Sequence, residues 1–350
     1  MKRTILLTTC ILLFTAFALA GDDGNKSSQT HHLQLTSTFV SHSPAGAFMT
    51  PMRCDSTGDM FARRYDPTNI RSSPVVKFNS RGEELSQFKL QKISGLSDRA
   101  SIGDFAITQN GDTYLLVYDS EPPSTAVYSF KSDGTFIKKV MTLPDDLRSA
   151  KKLAVFGNGN LLITGLVAGT RAQPNSTVPW TVVFSAAGRM LKSLSLDKDD
   201  DYQQAALRGD AIFTDSKKHG NWSVTQGTAV TGADGNVYLM RRAAPPTVHV
   251  ISPSGDIVRS FPIGNDSLHL PRALFVAQDK LAFLFNGLDD RGGSNAFWLV
   301  ASTKDGKEIE RYQAGESPDL GGAFACFDGK GFTFFGTQNQ RLMVKYATPE

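Results

Sequence analysis

The sequence lacks the motifs by which metal proteins and many enzymes are recognised. Its three cysteines and six histidines form neither a C-x-x-C pair nor an H-x-E-H spacing, so no protein metal site is predicted. A G-x-S-x-G nucleophile elbow and a glycine-rich phosphate loop are also absent. These absences leave the catalytic residues unknown. They predict no cofactor, although a bound divalent cation without a recognisable motif stays open.

The sequence also has little excess of one sign of charge over the other. The formal charge is +3, and so small an excess does not predict binding to nucleic acid. The long apolar run lies at residues 5–19, after Lys2 and Arg3, and its end overlaps an A-x-A cleavage pattern at 18–20 that precedes Gly21. This arrangement is typical of a secretory signal peptide and is too short for a membrane anchor.

The chain therefore divides into three predicted parts. Residues 1–20 form the signal peptide, and residues 21–30, which are polar and glycine-rich, form a disordered leader. Residues 31–350 form the folded domain. We expect an exported monomer in the periplasm, at the cell surface or in the medium, with no membrane span.

Glycine is plentiful, with 31 residues, and five glycines mark a repeat. In each copy an apolar run ends in a short turn closed by glycine and a second apolar run follows, as in VYSFKSDGTFIKKV at 127–140. The turn glycines are Gly82, Gly134, Gly188, Gly255 and Gly306. Glycine accepts the positive φ of a short hairpin loop, and the flanking residues favour strands.

Each copy contains a further turn and two further apolar strands upstream, and the turn glycines are 52, 54, 67 and 51 residues apart. Four short antiparallel strands at so regular a period predict a β-propeller. A β-sandwich or two small barrels would not explain the repeated spacing. Five copies lie at about 48–90, 102–143, 150–196, 224–263 and 272–314.

The C-terminal segment adds three strands of a sixth copy and lacks the fourth. The segment HLQLTSTFV at 32–40 alternates apolar and polar residues and belongs to no other copy. We therefore predict an all-β fold, a six-bladed β-propeller with four antiparallel strands per blade, in which this N-terminal strand completes the last blade and closes the ring.

Two cysteines remain after cleavage of the signal peptide. Cys54 lies in the first strand of the first copy and Cys326 in the first strand of the sixth, and a closed ring makes these copies neighbours. Aligning the copies places the two side chains on opposite blade faces, as facing neighbours require. In an exported chain this favours a disulfide, worth about 4–5 kcal/mol in the chain-entropy model. Two buried thiols are the alternative.

Three polar features allow two interpretations each. The extra length at 197–222 is either a functional lid or a surface excursion. Within it, the acidic run that contains Asp197 and Asp199 either attracts Ca²⁺ or is a solvated loop. His249 replaces an apolar strand residue, and a half-buried imidazole is favoured over a ligand.

Arginines recur in the loops that join the second and third strands, which a propeller gathers on one face. The predicted ligand-binding residues are Arg64, Arg171, Arg242, Arg291 and Arg341. The second copy carries Asp119 and Glu121 instead. Guanidinium groups suit carboxylates and phosphates, so this rim is predicted to bind a protein or a small anionic ligand. The alternative is that these arginines are ordinary solvated loop residues.

The phrases AVTGADGNVYLMRR and VYSFKSDGTFIKKV resemble blades of six-bladed propellers of the NHL-repeat type and their regucalcin/gluconolactonase-like relatives, over about 48–346. NHL-type members generally bind partners or act as scaffolds, which implies a non-catalytic binding propeller. The gluconolactonase-like members hold a divalent metal with Glu, Asn and Asp, which implies a metal-dependent hydrolase or lactonase as the alternative. No positions here match those ligands, so enzyme activity stays open, with binding preferred.

The two interpretations of the cysteines differ in one measurable property. We expect the exported protein to take up alkylating reagent at Cys54 and Cys326 only after reduction, which intact-mass spectrometry with and without reductant detects. Two thiols that alkylate freely without reductant would show that no disulfide forms.

Overall fold

The computed structural model of the protein describes residues 30–44, 46–66, 68–69, 73–147, 149–167, 178–196, 227–242, 246–264, 270–288, 294–313 and 323–350. Regular structure within these ranges is β-strand, apart from single 3-10 turns at Leu90–Lys92 and Asp145–Leu147. The predicted all-β class is therefore confirmed. The signal peptide at 1–20, the leader up to residue 29 and the insertion at 197–222 lie outside the described residues.

The first strand, β1 (Thr30–Pro44), is followed by four separate sheets of four antiparallel strands, each in sequence order. These sheets are β2 (Phe48–Cys54), β3 (Met60–Arg64), β4 (Val75–Phe78) and β5 (Glu84–Phe88); β6 (Ser101–Ile107), β7 (Thr113–Ser120), β8 (Pro123–Phe130) and β9 (Phe136–Thr142); β10 (Ala150–Val155), β11 (Leu161–Val167), β12 (Val178–Phe184) and β13 (Met190–Leu194); and β14 (Ala229–Thr231), β15 (Val237–Arg241), β16 (Thr247–Ile251) and β17 (Ile257–Pro262). They coincide with the first four predicted copies.

The remaining strands form one eight-stranded sheet in the order β18-β19-β20-β21-β1-β24-β23-β22. Its strands besides β1 are β18 (Leu270–Ala277), β19 (Lys280–Leu288), β20 (Ser294–Ser302), β21 (Glu308–Gln313), β22 (Ala323–Phe327), β23 (Phe332–Gln338) and β24 (Arg341–Pro349). The hydrogen bonding therefore gives four separate four-stranded blades, not the six that the sequence predicted.

The N-terminal strand accounts for this difference. Its first residues, Thr30–His32, pair in parallel with β21, and the strand then pairs antiparallel with β24 from Leu33 to Pro44. The predicted pairing of the N-terminal strand with the last strand is thus present, and the strand is longer than the predicted 32–40. Because β1 uses both of its edges, it joins two sets of strands into one sheet.

The first strands of the successive units lie against one another around a common axis, in a propeller-like arrangement. In order, β2 contacts β6, β6 contacts β10, β10 contacts β14, β14 contacts β18, and β18 contacts β22. The series returns to its start, since β22 contacts β2. The middle strands of a sheet can be buried on both faces because each sheet packs between two neighbours, and β4, for example, has four buried residues in succession.

A disulfide joins Cys54 at the end of β2 to Cys326 in β22, with the Cα atoms 5.6 Å apart. This is the pairing that the sequence left as one of two alternatives. The bond connects the first inner strand to the last, across 272 residues of sequence. It therefore lies where the chain closes on itself, as does the pairing of β1 with β24.

The five turn glycines have φ between 72° and 84°, as their position in the hairpins predicts. The second apolar run of each copy places an apolar residue three positions after the glycine, and these five residues do not belong to the core. They lie on the fourth strands, all of which except β21 are edges of their sheets, and they are 39–52% exposed: Leu85, Ile137, Leu191, Val258 and Ile309. Their apolar character suits an edge strand, where β-branched and other aliphatic residues favour extended backbone.

Two residues of β1 test whether this strand is part of the packed domain. Leu33 is 2% exposed and packs in a cluster with residues of β23 and β24, whereas Val40 is 45% exposed. We expect Leu33→Ala to lower the free energy of unfolding by about 2–4 kcal/mol, since it leaves a cavity. Val40→Ala should cost less than about 1 kcal/mol. Urea unfolding of both variants measures the difference, and equal effects would contradict the packing of β1.

Candidate functional site

A cavity of about 210 Å³ lies on the axis of the ring, between the loops that join the first and second strands. We call this end of the ring the cavity face. All six first strands, or the loops that follow them, contribute to its lining. Its walls are largely small and apolar, with alanines from four of the six: Ala106, Ala154, Ala229 and Ala277. Thr108, Gln109, Thr231 and Gln278 add polar groups.

Arg53 forms part of the cavity lining and extends across the axis. This side chain is 3% exposed, and its Nη1 donates to the Ala229 carbonyl on β14. Its Nη2 donates to Asp104 Oδ2 on β6 at 3.4 Å and to the Leu153 carbonyl on β10 at 3.5 Å. Its guanidinium carbon also lies 5.4 Å from the centre of the Phe105 ring. One side chain thus connects β2 to three other inner strands.

Asp104 is the buried counter-charge of this arginine. It is 1% exposed, and its Oδ2 also accepts the Leu153 amide at 2.8 Å. A second buried arginine, Arg63 on β3, is 8% exposed and interacts electrostatically with the same carboxylate. Burial lowers the pKa of both arginines, and the charge of Asp104 partly offsets that effect. Two buried guanidinium groups therefore share one buried carboxylate.

Three polar atoms of this group have no hydrogen-bond partner. They are Arg53 Nε, Arg63 Nε and Asp104 Oδ1. Buried polar atoms in proteins are nearly always hydrogen-bonded, so leaving these three without a partner is costly. Each of these atoms is enclosed by the protein and does not face the cavity.

Two carboxylates, those of Asp55 and Asp328, lie at the mouth of the cavity, and both belong to turns. Asp55 Oδ1 accepts the amides of Thr57 and Asp59, and its Oδ2 lies 3.5 Å from Lys77 Nζ. Asp328 Oδ2 accepts the hydroxyl of Tyr346 at 2.7 Å. These hydrogen bonds hold both carboxylates in place at the end of the lining strands.

The predicted arginine rim lies at the opposite end of the ring. Successive strands of a blade alternate in direction, so the loops after the second strands lie at the end away from those after the first strands. We call this end the arginine face. Of the five predicted ligand-binding residues, Arg64, Arg242 and Arg341 are described, and Arg171 and Arg291 lie outside the described residues. The cavity and the arginines therefore do not form one site.

The described arginines differ in whether their guanidinium groups are free to bind a ligand. Arg64 Nη1 donates to Glu84 Oε2 at 2.7 Å, so this arginine already has a carboxylate partner, which the sequence did not predict. Arg341 is exposed at the start of β24. At the second blade, Glu121 lies 2.9 Å from Arg99, so its charge is compensated within the same face.

Arg242 and Arg272 come closest to a binding site on the arginine face. Arg242 follows β15, is partly buried, and has an Nε without a hydrogen-bond partner. Its pKa is lowered by burial and by the positive charge of Arg272 on β18. The described residues provide neither of these arginines with an ion pair. Sequence reasoning missed Arg272 because it lies inside a strand and not in a loop.

His249, on β16, is more deeply buried than predicted, at 5% exposure. Its Nδ1 lies 2.8 Å from Ser260 Oγ, and its Nε2 has no hydrogen-bond partner. Burial and the charge of Arg241 lower the pKa of His249 to about 4. The imidazole is therefore neutral at physiological pH.

Among the described residues, no group of three or more His, Cys, Asp or Glu side chains could hold a metal ion. The same part of the chain contains no helix that is long and apolar enough to cross a membrane. The acidic run with Asp197 and Asp199 lies outside it.

The chain matches no protein-family model, and no curated protein matches it. Solved structures with a related shape include a protein of unknown function from Dyadobacter fermentans DSM 18053, at 9% identity over 91% of this chain and 99% of that one, with a TM-score of 0.49. A putative oxidoreductase (glucose dehydrogenase) from Thermus thermophilus is 12% identical over 89% and 99%, with a TM-score of 0.42. Hydrazine synthase of Kuenenia stuttgartiensis is 14% identical over 86% and 76%, with a TM-score of 0.44. All three TM-scores are below 0.5, so these similarities do not indicate a function for this chain.

The coupling of Arg53 to Asp104 is measurable by a double-mutant cycle. Arg53→Met leaves a buried carboxylate without its closest cation, and we expect a loss of about 3 kcal/mol in the free energy of unfolding. The Arg53→Met/Asp104→Asn double variant should lose at least about 1 kcal/mol less than the two single variants lose together. Strictly additive effects in urea unfolding would mean that the two side chains do not interact.

His249 predicts a pH dependence of stability. The folded pKa of His249, about 4, lies below the unfolded value, so the unfolded state takes up a proton first as the pH falls. Its contribution is complete above about pH 6.5 and is lost as the pH falls towards 4. We expect wild type to lose about 2 kcal/mol more than His249→Gln between pH 7.5 and 5. Parallel urea titrations at both pH values test this, and equal losses would contradict it.

Proposed function

We propose that the protein is an exported six-bladed propeller that binds an anionic group on a partner at its arginine face, without catalysis. The blade count is supported by the contacts among the inner strands, which pass through β2, β6, β10, β14, β18 and β22 in turn. On this interpretation the eight-stranded sheet is two blades, β18–β21 and β22–β24 with β1, joined by the short parallel pairing at Thr30–His32. Membership of the NHL-repeat type stays a prediction from the blade phrases.

The observation that supports anion binding most directly is the pair Arg242 and Arg272. Burial and, as the smaller cause, the positive charge of Arg272 lower the pKa of Arg242, and Arg242 Nε is buried without a hydrogen-bond partner. Two like charges held close together repel each other, and a carboxylate or phosphate between them would remove that cost. Guanidinium groups present paired donors that match both kinds of oxyanion.

The group that the arginine face binds is a carboxylate or a phosphate. Such a group can belong to a small ligand or to an acidic protein surface. Export is a proposal that rests on the signal-peptide pattern at 1–20 and on the Cys54–Cys326 disulfide, since disulfides persist in oxidising compartments.

Binding of citrate and inorganic phosphate to the purified protein tests this function. We expect either anion to raise the melting temperature of wild type, because a ligand that binds the native state stabilises it. Arg242→Ala/Arg272→Ala should weaken anion binding at least about tenfold, a loss typical of a charged hydrogen-bonding pair. An immobilised acidic peptide, applied to the same variants, separates protein recognition from small-anion binding.

The matched control removes the same charge from the cavity face. Lys304→Ala/Lys307→Ala deletes two exposed lysines of a turn between third and fourth strands. If both double variants lose affinity equally, the effect comes from net charge and the arginine face is not the site.

A further inference from the structure

We propose that the axial cavity binds a small zwitterion, a molecule of amino-acid type, with its carboxylate towards Arg53 and its ammonium group towards Asp55 and Asp328. This site lies on the cavity face, away from Arg242 and Arg272, and does not depend on the function proposed for the arginine face.

The base of the cavity is positively charged. Arg53 lines the cavity at 3% exposure, and Arg63 is 8% exposed on the neighbouring strand. The buried carboxylate that faces both arginines is Asp104, so these three side chains carry one net positive charge. An uncompensated buried charge is costly, and an anion bound beside Arg53 would balance it.

The mouth of the cavity is negatively charged. Asp55 and Asp328 both line it. Lys77 is shared between Asp55, at 3.5 Å, and Asp59, at 2.9 Å, so the three groups together keep one negative charge. Lys280 donates to the Gly329 carbonyl at 3.3 Å and not to Asp328. The cavity therefore has a positive base and a negative mouth, and a zwitterion with matching ends satisfies both.

The dimensions of the cavity limit the ligand to a small one. Its volume of about 210 Å³ is below the range of about 300–1,000 Å³ common for drug-sized ligands. The cavity exists because four of the strands that line it carry small alanine side chains there. These side chains make its middle apolar, which suits the short carbon chain between the two charged ends of an amino acid.

The disulfide holds the two mouth carboxylates in a fixed relation. Cys54 immediately precedes Asp55, and Cys326 is two residues before Asp328, so the bond joins the two strands that carry these carboxylates. Both cysteines also line the cavity. A site at this place therefore lies where the disulfide joins the first inner strand to the last.

Thermal unfolding with defined probes tests the proposal. Glycine, β-alanine and γ-aminobutyrate are the zwitterions, and acetate and ethylammonium supply each charged end alone. At ten times the dissociation constant, we expect the fitting zwitterion to raise the melting temperature by about 1–3 °C. Acetate and ethylammonium at equal ionic strength should raise it by less than half as much.

Three variants separate this site from general effects. Ala277→Leu fills the cavity while keeping Arg53 and Asp104, and should weaken zwitterion binding at least tenfold. Arg53→Met should do the same where it folds. Arg189→Met makes the same substitution at an exposed turn residue and should leave binding unchanged.

A zwitterion shift in wild type and Arg189→Met that disappears in Ala277→Leu supports the site. No shift with any of the three zwitterions, or an equal shift in Ala277→Leu, overturns it. A shift as large with acetate alone overturns the assignment of a zwitterion. Because Arg242 and Arg272 are intact throughout, failure here leaves the arginine-face proposal standing, and failure of that proposal leaves this one.

Discussion

The pairing of β1 with β24 is the constraint on which the rest of the structure depends. The last unit of the chain supplies three strands, and without β1 both β24 and β21 would expose an edge of unpaired backbone groups. By pairing with both, one strand from the N-terminal region closes the series of sheets. Closure makes β2 and β22 neighbours, and that contact allows Cys54 and Cys326 to bond.

A closed ring of sheets also creates an axis that must be filled. The inner strands present alanines there, which leave space, and Arg53 occupies part of it by reaching β6, β10 and β14. A charge in this position is costly unless it is paired, and Asp104 meets that requirement. What remains is a cavity at one end of the axis. The two ends of the ring consequently differ in chemistry, with arginines at one and a cavity bordered by carboxylates at the other.

Much of the fold was predictable because each hairpin repeats one physical solution. The turn glycines, the strand boundaries of the five copies and the closing N-terminal strand all follow from local turn chemistry and from counting strands. The fusion of the last units into one sheet was not predictable, since a three-residue parallel pairing at Thr30–His32 leaves no pattern in the sequence. The exposure of Leu85 and its equivalents was not predictable either, because hydrophobicity alone does not distinguish an outer strand from a core strand.

The candidate site was less predictable than the fold. Arg53 and Asp104 lie in inner strands 51 residues apart and resemble ordinary polar residues until the ring brings them together. Arg64 illustrates the opposite error, since its loop position suggested a free guanidinium and its partner Glu84 lies 20 residues away on another strand. Partners of charged residues depend on tertiary contacts that no single segment encodes.

Native-state hydrogen exchange tests most directly whether closure by β1 governs the whole domain. The measurement compares wild type with the Leu33→Ala variant, sheet by sheet. If the ring is one cooperative unit, the most protected amides of all five sheets should lose the same opening free energy. A loss of protection confined to the eight-stranded sheet, with β2–β17 unchanged, would contradict the account.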